Sequence, residues 1–305
     1  MLVWSRLRER VAIDVLRWTP KGTLSRGIGW LARRRVPRPL RRPIYGGFAR
    51  YAGADLSALD RPIEAFERFD DFFTRPLAPG ARPVEAGSDG VVSPVDGVIS
   101  EVGRADGGRM IQCKGLDYTV RGLLADAEEA RQFEGGAYVT IYLAPRDYHR
   151  IHSPVAGRVI GYRHIPGAFF PVNPLSVRNV AGLFSINERM VTYLDSDAGK
   201  VAVVKVAATG VGHITLSYDR QVHSHRRGAA GRHGWTQSYA PPRPIGAAEE
   251  LARFHLGSTV ILLFQPGRVE LEAHRGDVVR VGRRIGRRLS IGQSRTAPVS
   301  SGRIN

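Results

Sequence analysis

The sequence predicts an α+β protein in which a helical N-terminal part, residues 1–50, precedes a larger β-rich body, residues 51–305. Three observations lead to this prediction. Apolar residues near the N-terminus have helical spacing. From about residue 90 the chain changes to short Val- and Ile-rich runs separated by Gly and Pro, and one such run occurs twice. A chain of 305 residues is long enough for one large or two modest domains.

The N-terminal spacing predicts an amphipathic helix over residues 2–18, which Pro20 ends. Its apolar stripe consists of Val3, Trp4, Leu7, Val11, Val15 and Trp18. A second short helix is expected around Leu24, Ile28 and Leu31. Apolar faces that include Trp and are flanked by Arg are typical of helices lying in a membrane interface. The alternative is a helical pair that packs on the core and leaves its arginines in solvent.

Charge indicates the class of partner. The chain has 45 Lys and Arg against 28 Asp and Glu, a net charge of +17, and residues 1–50 contain 13 basic and 2 acidic side chains. Such an excess predicts nucleic acid or an acidic membrane surface as partner. We expect neither a membrane-spanning helix, which needs roughly 18 apolar residues, nor a secretory signal, because charged residues interrupt the apolar N-terminal positions.

The β-rich body is predicted from seven apolar runs, at residues 90–99, 138–143, 158–162, 190–194, 201–207, 214–216 and 259–264. Ser93-Pro94-Val95-Asp96-Gly97 recurs as Ser153-Pro154-Val155-Ala156-Gly157. Each copy predicts a strand that is entered through Pro and bent at Gly. These pieces, with residues 267–286, resemble the hairpins of lipoyl- and biotin-carrier barrels.

Cysteine and histidine usage argues against a metal site. Cys113 is the single cysteine, which excludes an internal disulfide and a cysteine-based zinc site. His223 and His225 have the spacing of half a metal site, but no acidic or Cys ligand set accompanies them. We therefore expect residues 220–247, rich in Arg, His, Gly and Pro, to form a solvated loop without metal.

Three short motifs together contain an acid, a base and a hydroxyl: Asp96 in the first repeat, His152 before the second, and Ser258 in Leu256-Gly257-Ser258-Thr259. A serine hydroxyl becomes a good nucleophile when an imidazole accepts its proton and a carboxylate orients that imidazole. We call Asp96, His152 and Ser258 the processing relay. Gly257 has no side chain to shield its carbonyl from the next residue's hydroxyl. Taken alone, each motif is a weak signal, and a Gly-Ser-Thr turn before a strand is usually only structural.

Five ordered motifs give the chain a family resemblance: Phe72-Phe73-Thr74-Arg75-Pro76-Leu77, Ser93-Pro94-Val95-Asp96-Gly97, Tyr148-His149-Arg150-Ile151-His152-Ser153-Pro154, Phe184-Ser185-Ile186-Asn187-Glu188-Arg189 and Phe254-His255-Leu256-Gly257-Ser258-Thr259. Over nearly its whole length the chain resembles the bacterial, membrane-associated phosphatidylserine decarboxylases. It departs from that family at residues 247–252, whose sequence differs from the usual approach to the Gly-Ser-Thr turn.

The resemblance implies that the chain makes its own cofactor. Ser258 Oγ attacks the Gly257 carbonyl, with His152 as base and Asp96 orienting it. The chain is then cleaved into residues 1–257 and 258–305, and Ser258 becomes a pyruvoyl group. The ketone forms a Schiff base with the amine of phosphatidylserine and accepts the electrons left by CO2, after which protonation gives phosphatidylethanolamine. His149 is implicated in that step as proton donor, because His titrates near neutrality.

The resemblance also implies where the enzyme acts. The substrate is a diacyl lipid, so we expect a peripheral enzyme on anionic phospholipid, at the cytoplasmic face of the bacterial inner membrane. The two cleavage fragments are expected to form a heterodimer, alone or within a higher oligomer. Phe169 and Phe170, with Val172, are candidates for an apolar rim at the substrate, and Asn187 is a further substrate-binding candidate.

Three other readings remain open at this stage. A nucleic-acid-binding protein fits the charge, but the sequence has no helix-turn-helix, RNP or zinc-finger motif, so we expect no nucleic-acid partner. A serine hydrolase could use the processing relay on an external substrate, but Ser258 lacks a Gly-x-Ser-x-Gly elbow. The third alternative is a non-catalytic carrier-barrel module. It predicts that the chain stays intact after expression, and the sequence has no evident lysine for the modification that such a module carries.

Overall fold

The computed structural model describes residues 21–209, 213–224, 233–255 and 258–290. The helix expected over residues 2–18 lies outside this range. Within it, strands predominate over helices, so the β-rich α+β class is confirmed. The helices are short apart from the first two. They are α1 (Lys21–Ala32), α2 (Arg38–Ala52), α3 (Phe69–Phe73), α4 (Val120–Leu124), α5 (Ala127–Arg131), α6 (Pro174–Asn179) and α7 (Leu183–Ile186).

The strands account for every apolar run on which the prediction rested. They are β1 (Gly90–Val92), β2 (Gly97–Arg104), β3 (Arg109–Cys113), β4 (Leu116–Thr119), β5 (Ala137–Leu143), β6 (Arg150–His152), β7 (Gly157–Ile165), β8 (Arg189–Ser196), β9 (Gly199–Val206), β10 (Ile214–Leu216), β11 (Trp235–Ile245), β12 (Glu250–Phe254), β13 (Ser258–Phe264), β14 (Val269–Leu271), β15 (Val278–Val279) and β16 (Arg284–Arg288).

The largest sheet is antiparallel and has the order β11-β7-β8-β9-β13-β5-β2-β15. Strand β13 lies inside it, with Thr259 opposite Tyr142 of β5 on one side and opposite Val206 of β9 on the other. Its side chains from Val260 to Phe264 are buried, which explains why the sequence there is a continuous apolar run rather than an alternating one. The strand that begins at Ser258 is therefore part of the core.

Smaller sheets bring the predicted site residues together. The order β10-β12-β6 places β6, which ends at His152, directly beside β12. Strand β12 ends at Phe254, three residues before Gly257. The remaining sheets are β1-β16-β14 and the β3-β4 pair.

The internal repeat forms two matching turns, which we call the first turn (residues 93–97) and the second turn (residues 153–157). In each, the serine Oγ donates to the carbonyl of the valine two residues later, at 2.7 Å for both Ser93 and Ser153. The turns also exchange backbone bonds: Val92 N–H donates to the Pro154 carbonyl at 2.9 Å, and His152 N–H to the Pro94 carbonyl at 2.8 Å. The likeness to carrier barrels stays a prediction.

Two expectations about strands need correction. The run at 90–99 is not one strand, because the first turn separates β1 from β2 and Pro94 has no N–H for pairing. Residues 220–247 are not wholly a loop, because Trp235–Ile245 forms β11 at the edge of the main sheet. Its prolines are tolerated there, since an edge strand leaves one side unpaired and the register shifts between Ser238 and Arg243.

The metal expectation is tested only in part, because His225 lies outside the described range. Among the residues that the structure describes, no group of three or more metal-ligating side chains is found. Nor does any described helix have the length and apolar character needed to cross a bilayer.

Helix α2 packs on α3 through a separate aromatic cluster. Tyr45 of α2 stacks on Phe72 with ring centroids 4.9 Å apart, and Phe48 meets Phe69 edge-on at 5.0 Å. Helix α2 continues past residue 50 and ends at Gly53, which has a left-handed backbone and donates its N–H to the Ala49 carbonyl. Several large apolar side chains of α1 and α2 remain exposed: Ile28, Trp30, Leu31, Leu40, Ile44 and Tyr51.

Candidate active site

His152 is held as a neutral imidazole whose basic nitrogen faces the Tyr148 hydroxyl. Nδ1 lies 2.7 Å from the Ala248 carbonyl, which can only accept, so the ring proton is on Nδ1. Nε2 is therefore unprotonated and lies 3.2 Å from the Tyr148 hydroxyl, which donates to it. Burial lowers the pKa of His152, and this effect is larger than the opposing influence of Glu250 and Asp96. The arrangement is that of a general base.

Asp96 is buried and is held by an arginine. Arg82 Nε lies 3.1 Å from both carboxylate oxygens, Arg82 Nη2 also donates, and the Val281 N–H donates to Oδ1 at 2.9 Å. No hydrogen bond joins Asp96 to His152 among the described residues, and the Ala248 carbonyl occupies the Nδ1 side of the imidazole. The structure thus brings the two side chains into one neighbourhood through the paired turns, without direct contact.

His149 is completely buried and also neutral. Its Nδ1 donates to the Asp147 carbonyl at 2.8 Å, and its ring lies 4.1 Å from the Phe73 ring between centroids. Nε2 has no hydrogen-bond partner within the described part of the chain. Burial lowers the pKa of His149 to about 3. The expectation of titration near neutrality is therefore wrong for this side chain: in the resting protein Nε2 is an acceptor.

Ser258 is the first residue of β13, and its backbone is opposite Leu143, the last residue of β5. Gly257 and the Ser258 side chain lie outside the described part. The loop that follows Leu143 leads to Tyr148 and His149, and the His149 carbonyl accepts the Phe254 N–H at 3.0 Å, near the end of β12. The segment that contains both histidines thus begins opposite position 258 and is hydrogen-bonded to the strand that precedes it.

Asn187 fixes the loop that includes Phe169 and Phe170. Its Oδ1 accepts the Phe170 N–H at 3.0 Å, and its Nδ2 donates to the carbonyls of Phe170 and Ala207 at 2.8 and 2.9 Å. Ala207 follows Val206, which pairs with Thr259. The Asn187 side chain is fully buried, so in this arrangement it anchors the loop beside the start of β13. Phe169 and Phe170 are half-buried.

A mainly apolar cavity of about 320 Å³ adjoins the same strand. Val172, Phe184, Tyr142 and Thr259 are among its lining residues. Because Thr259 follows Ser258, the cavity places apolar surface next to the predicted cleavage position.

Comparison with known proteins identifies the family to which the chain is similar. The sequence profile of phosphatidylserine decarboxylase matches residues 69–287. The chain is 47% identical over 284 residues to a phosphatidylserine decarboxylase proenzyme of Anaeromyxobacter sp. (strain K), covering 93% of this chain and 99% of that protein. The proenzyme of Myxococcus xanthus (strain DK1622) is 47% identical over 92% of this chain and 99% of its own length. That of Bordetella avium (strain 197N) is 40% identical over 86% and 89%.

The chain belongs to the phosphatidylserine decarboxylase family. The matched region begins at the first residue of α3 and ends within β16. It contains Asp96, His149, His152, Gly257 and Ser258. The members of this family to which it is compared are named proenzymes, which is consistent with a chain that processes itself.

Sequence analysis missed the immediate partners of the relay residues. Arg82 had no signal, because a lone arginine in a basic chain does not indicate which carboxylate it binds. Tyr148 was part of a quoted motif, but its contact with His152 depends on the turn between β5 and β6. The Ala248 carbonyl could not be found from side-chain chemistry.

A second acid–histidine pair was also missed. His255 Nδ1 donates to the Asp70 carboxylate, 2.8 Å from each oxygen, and its Nε2 lies 3.1 Å from Thr215 Oγ1. This pair ties α3 to the chain two residues before Gly257. The residues are 185 positions apart, so only the fold reveals them as partners.

Proposed function

We propose that this protein is a self-processing phosphatidylserine decarboxylase that converts phosphatidylserine to phosphatidylethanolamine at a membrane surface. The family sets the reaction. The observation that most supports the proposal is the position of Ser258 at the start of a strand paired on both sides. A chain break before Ser258 would leave the new terminus held in place by β5 and β9.

In the proposed processing step, His152 is the base. Its Nε2 accepts the Ser258 hydroxyl proton, Oγ bonds to the Gly257 carbonyl carbon, and the bond from that carbon to the Ser258 nitrogen breaks as the imidazolium returns the proton to that nitrogen. Elimination then removes the Ser258 Cα proton and breaks the Cβ–Oγ bond, which releases the Gly257 carboxylate. Hydrolysis of the remaining enamine releases ammonia and leaves the pyruvoyl group. Asp96 favours the imidazolium that forms, since its charge raises the pKa of His152 against the effect of burial. Arg82 holds the Asp96 side chain in place. The direct Asp96–His152 bond expected from sequence is not needed for this role.

The fragments 1–257 and 258–305 are expected to stay together without the severed bond. Residues Ser258–Phe264 pair with β5 and β9, and the Val260–Phe264 side chains are buried. Buried apolar surface contributes roughly 25 cal/mol for each Å² removed from water, and none of it depends on chain continuity. A heterodimer of the two fragments follows.

The surroundings of position 258 fit a pyruvoyl group, because the loop that follows Leu143, the residue opposite Ser258, contains a buried imidazole nitrogen, His149 Nε2, with no partner in the described part of the chain. The group supplies a ketone that accepts the electrons released with CO2. We assign the transferred proton to His149 Nε2, which has no partner among the described residues. Because burial favours the neutral ring, His149 would take up a proton from solvent only when the negative charge of the substrate lies next to it, and it would then give that proton to the carbon that lost CO2.

The N-terminal helices support action at a membrane. Trp30, Leu31 and Tyr51 are 56%, 67% and 92% exposed, and the segment between α1 and α2 adds exposed arginines. Apolar side chains that enter the interface, with cations that attract acidic lipid, fit a peripheral enzyme. Location at the cytoplasmic face of the inner membrane is part of the proposal. The Tyr45–Phe72 stack and the Phe73–His149 contact connect these helices to the site.

Vesicles that contain phosphatidylserine labelled at the serine carboxyl test the function. The mature protein should release labelled CO2 and form phosphatidylethanolamine, and Ser258→Ala should do neither. Activity on free serine but none on the lipid would contradict the proposed substrate. Labelling of Ser258 in an intact chain by a fluorophosphonate would favour a serine hydrolase instead.

A further inference from the structure

Arg75 is a buried cation that forms no ion pair with a carboxylate among the described residues. The residue follows α3 and is only 3% exposed. Its Nε and Nη1 have no hydrogen-bond partner within the described residues, and Nη2 makes one long contact, 3.4 Å, with the Arg146 carbonyl. The face of Phe72 lies 5.6 Å from the guanidinium carbon. Burying a cation with so few partners is costly, which indicates that something else occupies the space in front of it.

Arg75 lines a cavity of about 180 Å³, which we call the arginine cavity. Three further arginines line it: Arg82, Arg146 and Arg280. The volume is sufficient for several waters or for one tetrahedral oxyanion. Burial lowers the pKa of Arg75, while Asp96 opposes this effect.

The carboxylates of the cavity are already engaged. Asp96 is bound by Arg82 and by the Val281 N–H. Asp147 accepts the Ala144 N–H at 2.7 Å, and burial raises its pKa, which reduces its value as a counter-ion. Asp55 accepts the N–H of Ser57. Among the described residues Arg75 is thus a buried cation of the cavity whose Nε and Nη1 have no acceptor, which favours binding of an anion.

We propose that the arginine cavity binds a phosphate oxyanion, and that in the working enzyme this anion is the phosphodiester of the lipid substrate. The second part rests on the proposed function. The substrate also has a carboxylate, but a guanidinium there would stabilise the charge that the reaction must disperse. A phosphodiester keeps its charge throughout. Arginine can therefore hold it equally well before, during and after CO2 loss.

The position of the cavity agrees with this assignment. Asp96 and Tyr148 form one wall, and Tyr148 contacts His152. Gly53 and Ala58, which follow α2, form another. The cavity therefore lies between the helices proposed to contact the bilayer and the residues proposed to act on position 258, where a lipid head group would enter.

Binding can be tested without catalysis in the full-length Ser258→Ala chain, which should neither process nor turn over. Calorimetry with inorganic phosphate and with glycerophosphoserine, the head group without acyl chains, should show competition for one site. Arg75→Gln should weaken both by about tenfold or more, since a charge-assisted hydrogen bond contributes about 1.5–3 kcal/mol. Arg104→Gln is the matched control: it removes an exposed arginine of β2 and should change neither affinity.

Two results would overturn the proposal: no binding of either compound, or equal binding in Ser258→Ala and in its Arg75→Gln derivative. If Arg75→Gln fails to fold, Arg75→Lys should give intermediate affinity. Phosphate should also raise the melting temperature of the Ser258→Ala chain itself, which needs no further variant. Loss of inorganic phosphate binding in Arg75→Gln, with glycerophosphoserine binding unchanged, would exclude the lipid as source of the anion.

The mature enzyme separates this inference from the function. With a short-chain, soluble phosphatidylserine, Arg75→Gln should raise KM about tenfold and leave kcat within about threefold, because uniform binding affects KM. Arg104→Gln should match the wild type. An active enzyme whose KM does not respond to Arg75→Gln overturns the substrate assignment and leaves the function standing. If the protein binds phosphate through Arg75 but releases no CO2 from the lipid, the proposed function is overturned and only the phosphate site stands.

Discussion

The first and second turns have the same backbone arrangement and differ in the residue at their fourth position. Each has a serine that closes the turn onto a valine carbonyl, and each ends in a glycine that crosses a neighbouring strand. The fourth residue is Asp96 in the first turn, where it is buried against Arg82, and Ala156 in the second, where it is exposed. The repeat therefore sets the backbone of both turns, and only the first turn has the carboxylate that is proposed to act in processing.

The turns also differ in what precedes them. Val92 precedes the first and His152 the second, and both donate their backbone N–H to the opposite turn. This exchange sets Asp96 of one copy near the histidine that introduces the other. Two copies of a structural unit, each with one residue of the proposed relay at a different position, would thus supply the acid and the base of a single site.

The largest expected difference between the turns concerns processing. Asp96→Ala should leave one full-length band on a denaturing gel, because His152 loses the charge that favours its protonated form. Ala156→Ser, at the equivalent position of the second turn, should process like the wild type. Complete processing of Asp96→Ala would remove Asp96 from the relay. The two turns would then be alike in backbone structure, with no difference in function between their fourth residues.

The glycines should behave alike in both turns. A Cβ at Gly97 would lie 2.4 Å from the Tyr142 carbonyl oxygen, and one at Gly157 would lie 2.3 Å from that of Asp195. Each Gly→Ala change should lower the free energy of unfolding by about 1–3 kcal/mol or more. Gly46→Ala is the control, since it lies in α2 with nothing within 4 Å of its Cβ, and should be neutral or stabilising. Urea denaturation measures the free energy of unfolding of all three variants. If Gly97→Ala and Gly157→Ala were as stable as Gly46→Ala, the close approach of these two glycines to the neighbouring carbonyls would be contradicted.

His149 should make stability depend on pH. Its folded pKa, about 3, is below its unfolded value, near 6.5, so the unfolded chain binds more protons between these limits. Stability should be complete above about pH 6.5 and should fall as pH drops toward 3. His149→Gln should remove on the order of a few kcal/mol of that dependence.

Melting temperatures from pH 7 to pH 4 test this prediction. Other groups, such as His152, whose pKa burial also lowers, act equally in both proteins and cancel in the comparison. Parallel curves for the wild type and His149→Gln would show that His149 is not buried in its neutral form.

The smallest expected effect tests the equivalence of the turns most finely. Ser93→Ala and Ser153→Ala each remove one buried hydrogen bond to a backbone carbonyl, so each should cost about 1 kcal/mol in unfolding free energy. The two values should agree within about 0.5 kcal/mol, and processing should be retained in both. A much larger cost in one turn would show that the repeat is only superficial.

Local patterns were sufficient to predict much of the fold. Runs such as residues 201–207 and 259–264 are apolar except for Lys205 and Thr259, and a strand buried on both faces favours that composition. The edge strand Trp235–Ile245 was missed because it has three prolines and many polar residues, which an edge tolerates but which locally resemble a loop. The matching turns were foreseen as a repeat, although their mutual hydrogen bonds depend on tertiary structure.

The candidate site, like the fold, could be predicted from the sequence only in part. Asp96, His149 and His152 belong to short motifs that resemble a known family, so sequence was enough to propose them. Their partners, Arg82 and the Ala248 carbonyl, are distant in sequence or belong to the backbone. The depressed pKa of His149 results from complete burial, which a short motif does not specify.

Intact-mass analysis of the purified, active protein tests the central claim most directly. We expect two polypeptides that divide between Gly257 and Ser258, with the smaller one blocked at its N-terminus by a pyruvoyl group. We expect a single continuous chain for Ser258→Ala. Active wild-type protein whose mass is that of one uncleaved polypeptide with an unmodified serine would contradict the account.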